Sequence, residues 1–185
     1  MIFQEMRFTL RDGRTIRIKS PEVKDAKNLL NHIVKVASST DYLLSEPEDF
    51  DKYYQDISKE ETLIKSYHDG ADYLFVVLLG DEIIGNSSLN FHHHIKDKHR
   101  ARIGIAIQKE YWDLGIGTIL MKEMIEVAKI TPGTEQIELG VTSINERAKH
   151  LYSKLGFKKV GTLPRQLKLK NGTYLDEDMM VLFLK

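Results

Sequence analysis

The sequence predicts an α/β (α+β) fold in one domain, with a mostly antiparallel central sheet of about seven strands flanked by helices. Three observations support this fold class. The chain has 185 residues, 42% of them hydrophobic, which suits a single domain with a sizeable core. A block rich in strand-forming residues, with two buried strands and one alternating strand, occupies the middle of the chain. Two segments with helical periodicity separate strands in the second half. We expect residues 1–185 to form one domain.

The N-terminal third begins with a strand pair and continues into helices. Phe8 to Ile18 is typical of a hairpin with Asp12-Gly13 as its turn. Ser20-Pro21 is typical of a helix start, with serine as the N-cap and proline in the first turn. Ser58 to Glu61 resembles a capping box that opens a second helix ending at Gly70. The apolar face of the first helix would consist of Val23, Ala26, Leu29, Leu30, Ile33, Val34 and Ala37.

Three strands are predicted next, and alternating units follow. The strands are Tyr73 to Leu79, Ile83 to Phe91 after a turn at Gly80-Asp81, and Ala101 to Ile107. The remaining segments indicate helix, strand, helix and two strands, joined by an Asn-Gly turn typical of hairpins. In chain order these are Gly115 to Ile130, Gln136 to Val141, Asn145 to Leu155, Phe157 onward, Asn171-Gly172 and Met179 to Leu184.

Composition excludes several classes of protein. Lys plus Arg and Asp plus Glu each total 27, so the formal net charge is zero, which argues against a dedicated nucleic-acid binder. No apolar run approaches 18 residues, so we expect no membrane span. The chain has no cysteine, which removes thiol nucleophiles and cysteine metal sites. The first residues lack the apolar core of a signal peptide. We therefore expect a cytoplasmic protein.

A glycine-containing turn is the first candidate site. A predicted strand ends near Ile107, Gly115 and Gly117 follow in a short loop, and a helix begins at once. The free N–H groups and positive dipole end of a helix N-terminus bind phosphate, and glycines allow close approach. The segment lacks the Gly-Lys-Ser/Thr of a P-loop. Leu120 stands where a dinucleotide fingerprint has its third glycine. Taken alone, the two glycines equally suit an ordinary tight turn.

A second motif downstream makes the pattern specific. Asn145, Ala148, Tyr152, Gly156 and Phe157 match the pattern Asn-x-x-Ala-x-x-x-Tyr-x-x-x-Gly-Phe. Together with a turn of the type Gln/Arg-x-x-Gly-x-Gly, this pair resembles the cofactor motifs of the GNAT superfamily of acetyl-CoA-dependent N-acetyltransferases. The similarity covers about residues 7 to 184 and is nearest to the branch of ribosomal-protein N-acetyltransferases.

The first motif departs from the family pattern at three positions. Trp112 stands in place of Gln or Arg, Asp113 where glycine is common, and Lys109 where proline is common. A carboxylate beside a pyrophosphate would be repelled. We therefore expect the Asp113 side chain to turn outward, so that backbone atoms contact the phosphates.

The resemblance implies acetyl-CoA as co-substrate and a direct transfer of its acetyl group to a primary amine of a small molecule or a protein N-terminus. Tyr152 would protonate the leaving thiolate, and Asn145 would hold the pantetheine arm. Tyr152 could instead be an aromatic residue at the core edge, and Asn145 could also cap its helix. The strand Ile105 to Ile107 would splay from its neighbouring strand. Its backbone N–H groups would then be offered to the pantetheine arm and to the thioester carbonyl. The implied cofactor-binding residues are Ile105, Ala106, Ile107, Trp112, Asp113, Leu114, Gly115, Ile116, Gly117, Thr118, Asn145 and Ala148.

Neither a general base nor a metal site follows from the sequence. Glu138, on the strand after the glycine turn, is the nearest candidate base, but an exposed strand glutamate is the simpler interpretation, and we assign no base. His92, His93 and His94 are consecutive, so alternate side chains point to opposite faces. Nearby lysines and arginines would repel a cation. We therefore predict no metal.

Two segments carry opposite charge. Residues 41–62 contain eight acids and two lysines (Lys52 and Lys59), a formal charge of −6, whereas residues 145–170 have a formal charge of +7. In the family the first region borders the acceptor, so an acidic rim would attract a cationic amine. Two ordinary solvated faces are the alternative. The aromatic residues beside the acids, which favour an amine pocket, are Tyr42, Phe50, Tyr53 and Tyr54.

Two other functions compete with acetyl transfer. One is a non-catalytic acyl-CoA-binding regulatory domain, against which the presence of Tyr152 argues. The other is a dinucleotide enzyme, which the missing glycine disfavours. The partners we expect are acetyl-CoA and an amine acceptor, with no nucleic acid and no membrane. An exposed C-terminal edge strand would suit a homodimer.

Overall fold

The structure, a computed structural model, describes residues 1–51 and 56–184. The backbone packs as two units. Unit 1 comprises Met1–Asn90 and Ile105–Leu120, and unit 2 comprises Phe91–Gly104 and Met121–Lys185. One strand and one helix run from one unit into the other.

Among its described residues, unit 1 has two complete α-helices and an antiparallel sheet. The hydrogen-bonded order of its strands is β1-β2-β3-β4-β5. Helix α1 covers Ala26–Ala37 and helix α2 covers Ser58–Asp69. The strands are β1 Met6–Thr9, β2 Thr15–Lys19, β3 Tyr73–Leu79, β4 Glu82–Phe91 and β5 Arg100–Ile107. The unit ends in the first residues of helix α3, Ile116–Ile130.

The core of unit 1 lies between the two helices and the sheet. Ala26 and Leu29 of α1 and Ile64 of α2 form one cluster with side chains of β3 and β4. Burial of each leucine, isoleucine or valine of this cluster contributes roughly 1.5–3 kcal/mol. The strand residues in this cluster are Leu74, Val76, Leu78 and Ile83.

Both predicted helices of unit 1 are present, but their starts differ from the predictions. The predicted start at Ser20-Pro21 is wrong, because the Ser20 hydroxyl accepts the Phe3 N–H at 2.9 Å and helical structure begins only at Val23. A capping box between Glu22 and Asp25 opens this turn. Helix α2 begins at Ser58 as predicted, but the predicted capping box is wrong. Asp56 instead accepts the backbone N–H of Ser58 at 3.2 Å.

Unit 2 continues β5 and α3 and adds the C-terminal elements. Its strands are hydrogen-bonded in the order β5-β6-β8-β7, with β5 parallel to β6 and the other pairs antiparallel. In the described part of the chain, the whole order therefore contains eight strands, one more than the approximate seven predicted. The new elements are β6 Gln136–Thr142, α4 Glu146–Lys154, β7 Lys158–Lys168 and β8 Tyr174–Phe183.

The edge strand of unit 2 is β7. The last strand, β8, lies between β6 and β7, so the expectation that the C-terminal strand forms the exposed edge is wrong. The Asn171-Gly172 turn folds β8 back inside β7. A homodimer stays a prediction. None of the helices in the described part of the chain is long and apolar enough to cross a membrane.

Candidate active site

Strand β5 pairs with β6 only at its beginning. The parallel register joins Arg100 to Gln136 and Arg102 to Glu138, and β5 then continues to Ile107. Sheet pairing between parallel neighbours therefore stops at the middle of β5. This is the divergence that the family resemblance implies for a strand that binds a thioester.

The backbone of late β5 directs alternate groups to opposite edges. The Gln108 N–H donates to the Ile84 carbonyl of β4 at 3.0 Å. Because successive residues of a strand alternate in direction, the N–H groups of Ile105 and Ile107 point to the edge away from β4. Ala106, between them, directs its backbone groups toward β4. The geometry suits the predicted role of Ile105 and Ile107 as donors.

The predicted phosphate-binding turn depends on left-handed backbone. Asp113 has a φ of 63° and Gly115 a φ of 89°, a region that favours glycine. The first N–H bonded back into helix α3 is that of Ile119, which donates to Gly115 O at 3.1 Å. The N–H groups of Ile116, Gly117 and Thr118 precede that bond and form the first turn. They are the groups that a helix presents to an anion.

Trp112 braces this turn. Its Nε1–H donates to the Ile107 carbonyl at 2.8 Å, and its backbone N–H donates to Lys109 O at 3.2 Å. The indole also stacks with Tyr42, with ring centroids 6.4 Å apart. Asp113 is exposed, as expected for a side chain that turns outward. Leu114 is half-buried. Direct binding of the cofactor by Trp112, Asp113 and Leu114 stays a prediction.

Two arginines beside the turn were missed from the sequence. The Arg11 Nε lies 4.0 Å from the position that a Cβ on Gly115 would occupy. The Arg14 guanidinium lies over the Tyr111 ring, 5.6 Å from its centroid. Both arginines flank the Asp12-Gly13 turn of the β1–β2 hairpin. The signal was the basic residues of that loop, but the sequence could not show which helix start the hairpin tip approaches.

A buried polar network lies behind Ala106. The His32 Nε2 donates to Asn86 Oδ1 at 3.1 Å, and the Gln108 amide donates to His32 Nδ1 at 3.2 Å. Burial is the main cause that lowers the pKa of His32 to about 4, and hydrogen bonds to Asn86 and to the backbone of Ala106 oppose it. The ring is therefore neutral near pH 7. It fixes the side of β5 opposite to the predicted donors, and sequence reasoning missed it.

In unit 2, Asn145 is the N-cap of α4. Its Oδ1 accepts the Ala148 N–H at 3.1 Å, which confirms the capping role and uses the oxygen alone. The side-chain NH₂ is a separate donor that could bind a ligand. Pantetheine binding by Asn145 and Ala148 stays a prediction.

Tyr152 lies on the buried face of α4, with 6% of its surface exposed. Its ring is tilted against Phe157 at 6.1 Å between centroids. Burial raises the pKa of Tyr152 to about 12, and Arg147 opposes this. The phenol therefore keeps its proton throughout the neutral range. Tyr152 is thus a packed aromatic residue, and its role as proton donor stays a prediction.

Asp178 anchors α4 to strand β8. Its carboxylate accepts from Ser143 Oγ at 2.8 Å and Thr162 Oγ1 at 2.9 Å and pairs with Lys159 at 2.7 Å. Burial raises the pKa of Asp178, but the hydrogen bonds from Lys159, Ser143 and Thr162 outweigh it and lower the pKa to about 2. Lys149 of α4 lies 3.7 Å from the same carboxylate. This network fixes the helix that carries Tyr152.

The expectation that Glu138 is an exposed strand glutamate is wrong. Only 7% of its surface is exposed. Arg100 binds it with two nitrogens, with Nε 3.0 Å from Oε2 and Nη2 2.9 Å from Oε1, and His92 Nε2 lies 3.3 Å from Oε1. Both carboxylate oxygens are therefore already engaged by charged or polar partners. This pairing argues against Glu138 as the general base.

The histidine run separates in space. His92 is half-buried and its Nδ1 lies 3.1 Å from Asp97 Oδ2, whereas His93 and His94 are exposed. In the described part of the chain, no group of three or more His, Cys, Asp or Glu side chains could hold a metal ion.

In the acidic segment, Tyr42 stacks on Trp112. Lys52, Tyr53 and Tyr54 lie outside the described residues.

Comparison with known proteins identifies the family. Residues 26–157 match the model of the acetyltransferase (GNAT) family, which is more than half of the chain and includes most of the residues described above. This chain belongs to the GNAT acetyltransferase family.

Individual relatives agree with the family match. The chain is 30% identical to the L-amino acid N-acetyltransferase AaaT of Escherichia coli over 101 residues, which cover 55% of this chain but only 62% of AaaT. A GNAT acetyltransferase from Streptococcus pneumoniae has the same fold, with a TM-score of 0.83, 23% identity and coverage of 92% of this chain and 99% of that chain. A spermidine N-acetyltransferase from Vibrio cholerae, in complex with CoA and spermine, aligns with a TM-score of 0.73 and 25% identity over 91% of this chain and 95% of that one.

Proposed function

We propose that the protein is an acetyl-CoA-dependent N-acetyltransferase that moves the acetyl group directly to a primary amine. The observation that carries this proposal is the turn at Gly115. Its left-handed backbone precedes a helix whose first N–H groups lie ahead of the first intrahelical hydrogen bond. Such a turn would bind a pyrophosphate through main-chain groups. In a GNAT protein, acetyl-CoA is the co-substrate that carries this group.

The cofactor roles follow from the residues of each unit. The N–H groups of Ile116, Gly117 and Thr118 would bind the pyrophosphate, with Arg11 nearby adding positive charge. Ile105 and Ile107 of β5 would donate to the pantetheine and to the thioester carbonyl, where they would stabilise the oxyanion. In unit 2, the Asn145 NH₂ and the start of α4 would hold the pantetheine arm.

Tyr152 would act on the departing thiolate. With a pKa raised to about 12, the phenol is protonated at neutral pH, and a thiol has a reference pKa of about 8.5. It would therefore donate a hydrogen bond to the developing thiolate, and the proton would follow as the amine loses its own. The collapse of the tetrahedral intermediate breaks the C–S bond and leaves an N-acetyl amine and CoA.

The acceptor in this proposal is a cationic amine. The relatives act on amino acids and on polyamines by their names. The acidic segment 41–62, with a formal charge of −6, would attract such a molecule. A protein N-terminus carries the same ammonium group and stays an alternative acceptor. One GNAT domain over residues 1–185 is part of this proposal, and the family match that includes residues of both units supports it. The cytoplasmic location and the lack of a nucleic-acid partner stay predictions.

One assay tests the proposal. Thiol release from acetyl-CoA is measured across polyamines, amino acids, aminoglycosides and short peptides, and mass spectrometry identifies the acetylated product. We expect at least one amine to give equal amounts of free CoA and N-acetyl product. Tight binding of acetyl-CoA without turnover of any acceptor would contradict the enzyme and favour the non-catalytic regulatory domain.

A further inference from the structure

Glu177 lies on β8 in an arrangement that depends on glycine. In the antiparallel register Glu177 is paired with Thr142, and Met179 with Gly140. The Glu177 side chain leans diagonally across β6 onto Gly140. A Cβ built on Gly140 would lie 2.5 Å from Glu177 Cδ and 2.9 Å from its Oε2. Any other residue at position 140 would displace this carboxylate, so Gly140 makes the room that it occupies.

The Glu177 carboxylate differs from the other acids around it. Glu138 is held by Arg100, and Asp178 by Ser143, Thr162 and Lys159. Within residues 1–51 and 56–184, by contrast, no side chain or backbone group forms a hydrogen bond or ion pair with the carboxylate of Glu177. Glu177 is half-buried. A cationic ligand on this face would supply the charge partner that no described residue provides.

The sheet separates Glu177 from helix α4. Lys149 of α4 reaches Asp178, and Gly156, just after α4, lies against Leu182, so this helix packs on the face that carries the even-numbered residues of β8. Glu177 points to the opposite face because successive side chains of a strand alternate. In the register, Gly140 and Glu138 of β6 share that face.

Strand β6 also provides an open edge at this point. Its ladder with β5 ends at Glu138, so Gly140 lies beyond the last pair. An acceptor on this face would approach β6 from the side opposite to α4, which carries Tyr152. Glu177, which would bind the amine, and Tyr152, which would protonate the thiolate, then lie on opposite sides of β6.

We propose that Glu177 is the residue that binds the acceptor's ammonium group and takes its proton, which rests on the proposed function. The ammonium transfers one proton to the carboxylate, and the neutral nitrogen attacks the thioester carbon to form the C–N bond. The C–S bond breaks, and the thiolate is protonated through Tyr152. A second proton of the amine passes to the Tyr152 oxygen and restores the phenol. The third proton stays on the amide nitrogen, and Glu177 releases its proton to water.

The test replaces Glu177 by its isosteric amide. Glu177→Gln should lower kcat/KM for the best acceptor by about 100-fold or more, the usual size of a general-base contribution, while the Kd for acetyl-CoA stays within about twofold. The weakly basic aminooxy analogue of that acceptor is neutral at pH 7, so its loss should be about tenfold smaller. A merely structural role of Glu177 would lower kcat/KM equally for both acceptors.

Two further variants keep the outcome decisive. Glu177→Asp keeps the charge but shortens the side chain by one methylene. Its loss of kcat/KM should be intermediate and again larger for the basic amine than for the aminooxy analogue. Asp176→Asn changes the neighbouring acid on the opposite face and should match the wild type. Wild-type kcat/KM in Glu177→Gln, or equal losses for both acceptors in Glu177→Gln and Glu177→Asp, would overturn this assignment and leave the acetyltransferase intact. Absence of turnover in the wild type would instead overturn the proposed function.

Discussion

The glycine turn of unit 1 and helix α4 of unit 2 carry the two halves of the family motif in different ways. The turn would use main chain: its proposed donors are the N–H groups of Ile116 to Thr118, and its shape depends on positive φ at Asp113 and Gly115. Helix α4 uses side chains, with Asn145 as cap and Tyr152 as a buried phenol. Substitutions in the turn should therefore act through backbone conformation, and those in α4 through the lost functional group.

The largest expected effect is on folding stability at low pH. The polar networks of the two units should lose their contribution to stability in different pH ranges. His32 has a folded pKa lowered to about 4 from 6.5, so the unfolded chain takes up a proton first as pH falls. The stability from neutral His32 is complete above pH 6.5 and is lost between pH 6.5 and 4, about 3 kcal/mol in total. The pKa of Asp178 is lowered to about 2 from 3.8, so its contribution is lost only below that window.

Urea unfolding at pH 7, 5.5 and 4.5 measures this difference. The wild type should lose stability through the series, and His32→Gln should lose much less of it. Parallel pH dependence in the two proteins would show that His32 is not the titrating group.

Removal of the phenol should affect turnover and not binding. Tyr152→Phe keeps the packing against Phe157 but loses the donor, so we expect kcat to fall by about 100-fold with an unchanged Kd for acetyl-CoA. Steady-state kinetics and calorimetric titration measure the two parameters. Tyr174→Phe, a change at an exposed tyrosine of β8, serves as the control and should be neutral. Full activity in Tyr152→Phe would remove this residue from the mechanism.

A backbone change in the turn should affect binding instead. Gly115 has a φ of 89° and Gly172, in the β7–β8 hairpin, a φ of 87°. A Cβ in this region costs about 1–2 kcal/mol. Gly115→Ala should therefore shift the turn and raise the Kd for acetyl-CoA by about tenfold. Gly172→Ala carries the same strain and should lower stability alone. If both variants bind acetyl-CoA equally well, the turn is not the phosphate site.

The smallest expected effect divides the two roles of Asn145. Asn145→Asp keeps an oxygen to accept the Ala148 N–H but loses the NH₂ donor, whereas Asn145→Ala loses both. We expect Asn145→Ala to lower stability by about 1 kcal/mol, and Asn145→Asp to retain stability but bind acetyl-CoA a few-fold more weakly. Thermal unfolding and titration check the pair. Wild-type binding by Asn145→Asp would limit this residue to capping.

The sequence predicted the elements well because their patterns are local. A continuous apolar run marked β3, whose bounds match the prediction, and the Asn-cap at position 145 marked the start of α4. The start of α1 was wrong because Ser20 bonds to Phe3, a residue distant in sequence. Local signals cannot reveal such a competing partner.

The candidate site divides in the same way. The glycines and the Asn–Tyr spacing are contiguous motifs and were found from the sequence, together with the family. Glu138 was misjudged because its partner Arg100 lies on another strand, and Arg11, His32 and Glu177 were missed because each gains its meaning from a residue distant in sequence. Pairing across strands depends on register, which spacing within one segment does not encode.

The most direct test of the account measures acetyl-CoA affinity and turnover in Gly115→Ala and Tyr152→Phe side by side. We predict a crossed result: Gly115→Ala raises the Kd for acetyl-CoA with little change in kcat at saturating cofactor, and Tyr152→Phe lowers kcat with an unchanged Kd. A change of the same parameter in both variants, or of neither, would contradict the division between a main-chain cofactor turn and a side-chain donor on α4.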